Sequence, residues 1–409
     1  MLTLPDRITK EGFKMKEQLF QKLREKNGRM IEIRRYLHAH PELSFHEEKT
    51  AKYIADFYTG KDCEVHINVG GNGVVVTIDS GKPGKTIAIR ADFDALPITE
   101  ETGLPFASEN PGVMHACGHD GHTAYMLILG ETLIEMKDQL QGKVVILHQH
   151  AEEKPPGGAV QMIKDGCLDG VDNVFGIHVM STMETGKIYY REGNIQTGRA
   201  YFKVKIKGKG GHGSSPHLAN DAIVAGSYFV QAVQTIISRR LNPFDVASIT
   251  IGSFDGKGSF NVIKDSVELE GDVRVMTEET RELVEREIRR KLDGLQETFG
   301  ITYELDYLND YPVLYNDPEL TEFVAESLKN SSLPEVKGVE RCEPQPPSED
   351  FAYYAKERPS VFFYVGAMPA DGKYYPHHHP KFDINEDSLL IAAEAMGAVV
   401  IDYLREDDK

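Results

Sequence analysis

Five clusters of His, Asp, Glu and Cys punctuate this chain: Arg90-Ala-Asp-Phe-Asp94, His115-Ala-Cys-Gly-His-Asp-Gly-His122, His148-Gln-His-Ala-Glu-Glu153, His178, and Pro376-His-His-His-Pro380. Imidazole, thiolate and carboxylate are the ligands of zinc and related divalent ions. Each cluster also has a bland reading. A Cys117–His119 pair is commonly incidental, and Glu152–Glu153 reads as a solvated feature. A lone His178 is commonly a satisfied core histidine, and three histidines in a row can be an exposed turn. Four of the clusters follow strand-like runs and His115–His122 lies between two of them, and that joint placement makes the bland readings poor as a set. Paired glutamates carry a specific chemical meaning. One can bind an ion while the other stays off it and takes a proton from a water that the ion acidifies. That water then attacks an acyl carbon, and the base hands its proton to the leaving amine.

The elements that must position these residues are short apolar runs at Val74–Ile78, Thr86–Ile89, Val144–Leu147, Val174–Ile177 and Val361–Val365. Helical periodicity lies around them. Leu19, Leu23, Met30, Ile33 and Leu37 recur at near-helical spacing before Pro41, and further helices are expected over Glu47–Tyr58, Ala124–Met136 and Ser388–Leu404. Strands alternating with helices predict an α/β class with a mostly parallel central sheet flanked by helices. In such sheets the ligand crevice lies at the carboxyl ends of the strands. The stretch from about Arg191 to Leu308 differs. Phe202, Val204 and Ile206 alternate with Lys203, Lys205 and Lys207, as in a strand with one wet face. A helix near Ala219–Ser238, strands at Val246–Ser253 and Ser266–Met276, a charged helix at Glu278–Thr298 and a strand at Thr302–Tyr307 complete a βαββαβ unit. The expected organisation is a catalytic domain over 1–190 and 309–409, with an inserted ferredoxin-like lid or dimerisation domain over 191–308.

At 409 residues the chain exceeds what one core usually covers. A formal net charge of −18 argues against nucleic acid and anionic membranes as partners. Its four cysteines, Cys63, Cys117, Cys167 and Cys342, are scattered, which fits a reducing compartment. Lys10, Lys14, Lys16 and Glu17 interrupt any apolar leader, and no apolar run has membrane-span length. A cytoplasmic enzyme is expected.

The chain resembles the M20 metallopeptidase and amidohydrolase family, in particular its aminoacylase-like, hippurate-hydrolase-like and auxin-conjugate-hydrolase-like subgroup. The motifs that carry the likeness run in order along nearly the whole sequence: Arg90-Ala-Asp-Phe-Asp-Ala-Leu-Pro97, His115 to His122, Ala151-Glu-Glu153, Gly176-Ile-His178, Gly211-His-Gly-Ser-Ser-Pro-His217, Ser348-Glu-Asp-Phe351 and His378-His-Pro-Lys-Phe382. The resemblance implies two divalent ions per subunit, manganese or zinc, with cobalt or nickel as alternatives. It implies Cys117, His119, Glu153, His178 and His378 as metal ligands and Glu152 as general base. It also implies a substrate-carbonyl contact from His212, substrate-holding roles for Asn261 and Arg274, and outer-sphere support from Asp92 and Asp94. Two departures stand out: Lys154-Pro155-Pro156 follows the paired glutamates, and His377 replaces a common Leu, leaving His377 and His379 as alternative ligands. The expected reaction is hydrolysis of N-acyl amino acids or related small amides, with a dipeptidase or aminopeptidase as the alternative. A homodimer is expected through the inserted domain, with a tetramer as the alternative. Two other classes compete: thiol catalysis by Cys117 with His119 or His122 as base, and a non-catalytic binding protein on the same fold.

Overall fold

Runs of Val and Ile with few charges form the strands of a large sheet, as burial on both faces requires. In the computed structural model, which describes residues 10–405, this sheet has eight strands. Edge to edge they are Glu64–Val69, Gly73–Asp79, Lys143–Gln149, Thr86–Asp92, Asn173–Met180, Ser360–Gly366, Lys187–Tyr190 and Gly338–Arg341. The third to sixth of these run parallel to one another. Gly73–Asp79 and Lys187–Tyr190 join this parallel centre antiparallel. The expected α/β class is therefore present. Its consequence is geometric: Asp92, Gln149, the His178–Met180 segment and Gly366 all leave the sheet at one edge.

Two helices that are apolar nearly all round are buried, as such helices must be. His119–Glu135 is buried from His119 to Ile134 and packs against Asp387–Leu404, which also packs against Lys10–Glu25. The approach is close: a Cβ on Gly397 would lie 2.4 Å from Leu19 Cδ2.

The chain divides into two compact units, one of Met1–Gly193, Tyr315–Glu343 and Tyr353–Lys409 and one of Asn194–Leu314 and Pro344–Ala352. The ends of the first unit, residues 1–9 and 406–409, lie outside the described residues. The second unit holds a four-stranded antiparallel sheet in the order Ala247–Asp255, Ser266–Val275, Gly198–Lys207, Thr302–Asn309. Phe202, Val204, Ile206, Leu269 and Val273 on one sheet face share a core with Phe229 and Val233 of the Ala222–Arg239 helix and with Val284, Ile288 and Leu292 of the Glu278–Phe299 helix. Asp221 and Thr277 cap these helices through their side chains, and Gly300 ends the second in the left-handed region. The unit's limits differ from the sequence expectation because Pro344–Ala352 belongs to it. Thr197 N–H donates to Pro347 O at 3.1 Å, and Gln345 N–H to Ile195 O at 2.7 Å.

Sequence reading missed Glu64–Val69, Lys187–Tyr190 and Gly338–Arg341, all short strands with partly or fully exposed positions and no apolar run. It also missed the helix Pro318–Asn330, although Asp317 caps it and Pro318 opens it. All four cysteines are free thiols. Among the described residues no helix is long and apolar enough to cross a membrane.

His148, near the end of Lys143–Gln149, is fully buried, with Nε2 3.0 Å from Tyr58 Oη. Burial lowers its pKa from 6.5 to about 3. The unfolded chain therefore binds a proton that the folded chain refuses between those values, so stability falls as pH drops through 6.5. His148→Gln should flatten the fall in stability between about pH 6.5 and 4, by at most roughly 1.4 kcal/mol of unfolding free energy per pH unit. Thermal melts across that range check this, and an unchanged slope in the variant would count against it.

Candidate active site

The parallel strand Thr86–Asp92 delivers its last carboxylate into a buried, polar setting. Arg90 Nη1 donates to Asp92 Oδ2 at 2.6 Å, and Arg90 Nε donates to Gln149 Oε1 at 2.9 Å on the neighbouring strand. His122 Nδ1–H donates to Asp92 Oδ1 at 2.5 Å, and its Nε2 accepts Val179 N–H at 3.0 Å. Both nitrogens of His122 are thus spent, so this ring is a post and neither a ligand nor a base. Gly118, at φ 94°, opens the helix that carries His119 and His122, and a Cβ there would sit 2.7 Å from Val179 Cγ2.

His119 behaves differently. Its Nδ1 lies 3.1 Å from both the carbonyl oxygen and Oδ1 of Asp94, which turns Nε2 toward Glu153 Oε1 at 3.8 Å. Both facing atoms are buried and neither has a hydrogen-bond partner. Around them, Cys117 Sγ lies 3.5 Å from His178 Nε2 and 3.6 Å from His377 Nδ1. His378 Nε2 stands 3.2 Å from Glu153 Oε1, within ion-pair range but without hydrogen-bond alignment. Donor atoms of Cys117, His119 and Glu153 lie within 4.8 Å of one another, as do those of Cys117, His178 and His377. The donors of Cys117, His119, Glu153 and His178, with His378 beside Glu153, make a set that fits divalent ions. The unpartnered atoms, one an imidazole nitrogen and one a carboxylate oxygen, have the chemistry such ions take.

Two residues with side chains hold left-handed backbone here: Ala151 at φ 52°, just before the paired glutamates, and His378 at φ 66°. That conformation costs about 1 kcal/mol and persists only where the surroundings enforce it. Glu47 Oε1 accepts Ala151 N–H at 2.9 Å, and His378 N–H donates to Ala116 O at 2.8 Å. The sequence reading missed Glu47, which also accepts from Asn72 Nδ2 at 2.9 Å. It missed Arg34 as well. Buried Arg34 pairs with Asp120 at 2.9 Å, Asp383 at 3.0 Å and Glu386 at 3.2 Å, tying the start of the His119 helix to the segment beyond His379. Nothing in spacing marks either residue.

Electrostatics agree with the contacts. Burial works against charge on His119, but Asp92, Asp94 and Glu153 outweigh it and hold its pKa up to about 10. The same surroundings act on Cys117: burial, then Glu153, Glu152 and Asp92, push its thiol well above the usual value. The cavity therefore holds an excess of negative charge that a metal cation would balance. An activated nucleophilic thiol needs the opposite shift, so these surroundings do not favour Cys117 as a nucleophile.

The remaining expected residues divide as follows. Glu152 is buried next to Glu153, and Asp92 and Asp94 lie under the ligand cluster. His212, Asn261 and Arg274 belong to the second unit. His212 Nδ1 accepts from Ser214 N–H at 3.2 Å, leaving Nε2 to carry the proton of the neutral ring. Gly213 N–H donates to Asn261 O at 2.8 Å, so His212 and Asn261 stand side by side. Arg274 is held by Asp272 at 2.8 Å and by Ser348 Oγ at 3.2 Å.

Residues 88–402 match the family described as Peptidase family M20/M25/M40. The chain is 40% identical to the N-acyl-L-amino acid amidohydrolase of Geobacillus stearothermophilus, over 74% of this chain and 82% of that one. It is 37% identical to thermostable carboxypeptidase 1 of Saccharolobus solfataricus, over 95% of this chain and 98% of that one. Among solved structures, a chain from methicillin-resistant Staphylococcus aureus, provisionally described as an aminohydrolase, is 69% identical, with TM-score 0.92 and coverage of 95% and 99%. The Bacillus subtilis YxeP protein, a dinuclear metal binding peptidase from the M20 family, is 32% identical, with TM-score 0.81 and coverage of 93% and 99%. This chain belongs to the M20 family and is a hydrolase of amide bonds.

With its ions chelated away, Cys117 should alkylate with iodoacetamide at neutral pH no faster than partly exposed Cys63, whose pKa burial also raises. Site-resolved mass spectrometry reads this. Rapid modification of Cys117 alone would restore the nucleophile reading.

Proposed function

We propose that this M20-family hydrolase cleaves the amide bond of N-acyl amino acids, holding two divalent ions with Cys117, His119, Glu153, His178 and His378 and using Glu152 as general base. The observation that carries this reading is the pair of buried atoms without a hydrogen-bond partner, His119 Nε2 and Glu153 Oε1, facing each other 3.8 Å apart. Bound there, the ions would polarise the scissile carbonyl and acidify the attacking water. Asp92 and Asp94 support the cluster, Asp94 by holding His119 in the tautomer that presents Nε2. Glu152 takes the proton of the attacking water and passes it to the leaving amine. His212 offers its Nε2–H to the substrate carbonyl, while Asn261 and Arg274 hold the substrate's carbonyl and carboxylate groups. The thiolate and imidazoles suit zinc, cobalt or nickel, and the carboxylate suits manganese.

A peptidase is the second reading, favoured by the carboxypeptidase relatives; an arginine clamp on a substrate carboxylate serves either activity. The assembly we propose is a homodimer, with a tetramer as the alternative. Val246 and Phe254, at the open edge strand of the second unit, are exposed together with Val224 and Tyr228 on its first helix, and an unpaired strand edge of this kind invites a second copy. Free thiols and the acidic balance suit the cytoplasm and small-molecule partners rather than nucleic acid or membranes.

The test is to strip the protein, restore manganese or zinc, and measure amine release from N-acetyl amino acids and dipeptides. Release should need metal and come from acylated substrates. Glu152→Gln should lose roughly a hundred- to ten-thousand-fold in kcat with its bound metal intact. Release from dipeptides alone would move the assignment to peptidase, and full activity without metal would end the two-ion mechanism.

A further inference from the structure

Two imidazoles approach the same sulfur, and their outer nitrogens are held by opposite kinds of group. His178 Nδ1 lies 2.7 Å from the Val179 carbonyl oxygen, which can only accept. His178 Nδ1 must therefore carry the proton, and its Nε2 brings a lone pair to within 3.5 Å of Cys117 Sγ. His377 is reversed. Its Nε2 lies 3.4 Å from the Ser181 backbone N–H, which can only donate. The neutral ring must then carry its proton on Nδ1, which lies 3.6 Å from Cys117 Sγ.

We propose that His377 is a hydrogen-bond donor to the Cys117 thiolate, a positioning residue that sets how strongly the sulfur donates, and not a further nitrogen ligand beside His178. This rests on the assignment of Cys117 as a metal ligand above. To ligate through Nδ1, His377 would have to move its proton to Nε2, where two N–H groups would meet head to head. Leaving two donors facing without an acceptor in a buried place is strongly unfavourable. Turning the ring over would replace both nitrogen contacts with carbon. The ring is also held in place. Ser181 Oγ donates to Tyr375 O at 2.9 Å, and the ring's neighbours are His178 at 5.2 Å between centroids and Phe382 at 4.9 Å. His378, on the next residue, has no such anchor on its ring and faces Glu153 instead. The triple histidine thus divides into a donor to sulfur at His377 and a ligand at His378. An N–H bond to a thiolate withdraws electron density from the sulfur, so an ion held by Cys117 would stay more electrophilic.

Cobalt(II) makes this visible, because its thiolate charge-transfer band moves to lower energy as the sulfur becomes a stronger donor. The probe is the full chain loaded with cobalt, compared with His377→Leu, which removes the donor, and His377→Asn, which keeps an N–H near the Nδ1 position. The band should shift to longer wavelength in His377→Leu and return toward wild type in His377→Asn, with cobalt stoichiometry and ligand-field bands unchanged in both. Loss of one bound cobalt, or altered ligand-field bands in both variants, would make His377 a ligand and overturn the proposal. An unshifted charge-transfer band in His377→Leu would overturn it too. A wild-type protein that binds cobalt with no thiolate band would instead overturn the placement of Cys117 among the ligands, a separate failure.

Discussion

Buried negative charge without matching positive charge is the constraint on which this molecule is organised. Asp92, Asp94, Glu152 and Glu153 stand within a few residues of the sheet edge, and the first three are buried. Charges in such places cost several kcal/mol each unless hydrogen bonds and counter-charges offset them. The nearby offsets include Arg90 and His122 on Asp92, and Ser44 Oγ with the Glu153 N–H on Asp94. What these leave uncovered is the space between His119, Glu153, Cys117 and His178.

The scaffold supports this by bracing rather than by proximity alone. Four parallel strands bring the segments to one edge, but their ends need further restraint, because loops drift and ligand geometry does not tolerate it. Glu47 fixes the backbone before the paired glutamates, with its own pKa raised to about 7 by burial and by Asp94. Arg34 gathers Asp120, Asp383 and Glu386 into one buried knot. These two residues act at one remove from the chemistry, through the backbone and the helix start.

Much of the α/β core was legible because apolar runs and helical periodicity are local properties. Thr86–Ile89, Val144–Leu147, Val174–Ile177 and Val361–Val365 all lie inside observed strands. The edge strands were not, since Glu64–Val69 carries mixed residues suited to exposure. Cys117, His119, Glu153 and His178 were singled out because their types are chemically distinctive and follow strands. Glu47 and Arg34 were invisible because a charged residue in a helical or turn-like stretch reads as solvated until tertiary packing buries it. The choice between His377 and His378 was equally closed to spacing. The division proposed between them rests on which backbone groups face each ring and on the left-handed turn at His378.

The strand Ser360–Gly366 lies between Asn173–Met180 and Lys187–Tyr190, so the large sheet is completed by residues near the far end of the chain. During synthesis the Asn173–Met180 edge emerges long before its partner. The second unit's contiguous core, from Ala200 to Val313, is by contrast complete well before that strand is made. A nascent chain of this protein therefore spends an interval with one unit able to collapse and the other carrying an unsatisfied strand edge. Such edges pair with neighbours when crowded. The period of greatest aggregation hazard thus lies between synthesis of Met180 and of Ser360, roughly 180 residues or about 9–36 s of translation at typical rates, and any truncation upstream of Ser360 would make that hazard permanent.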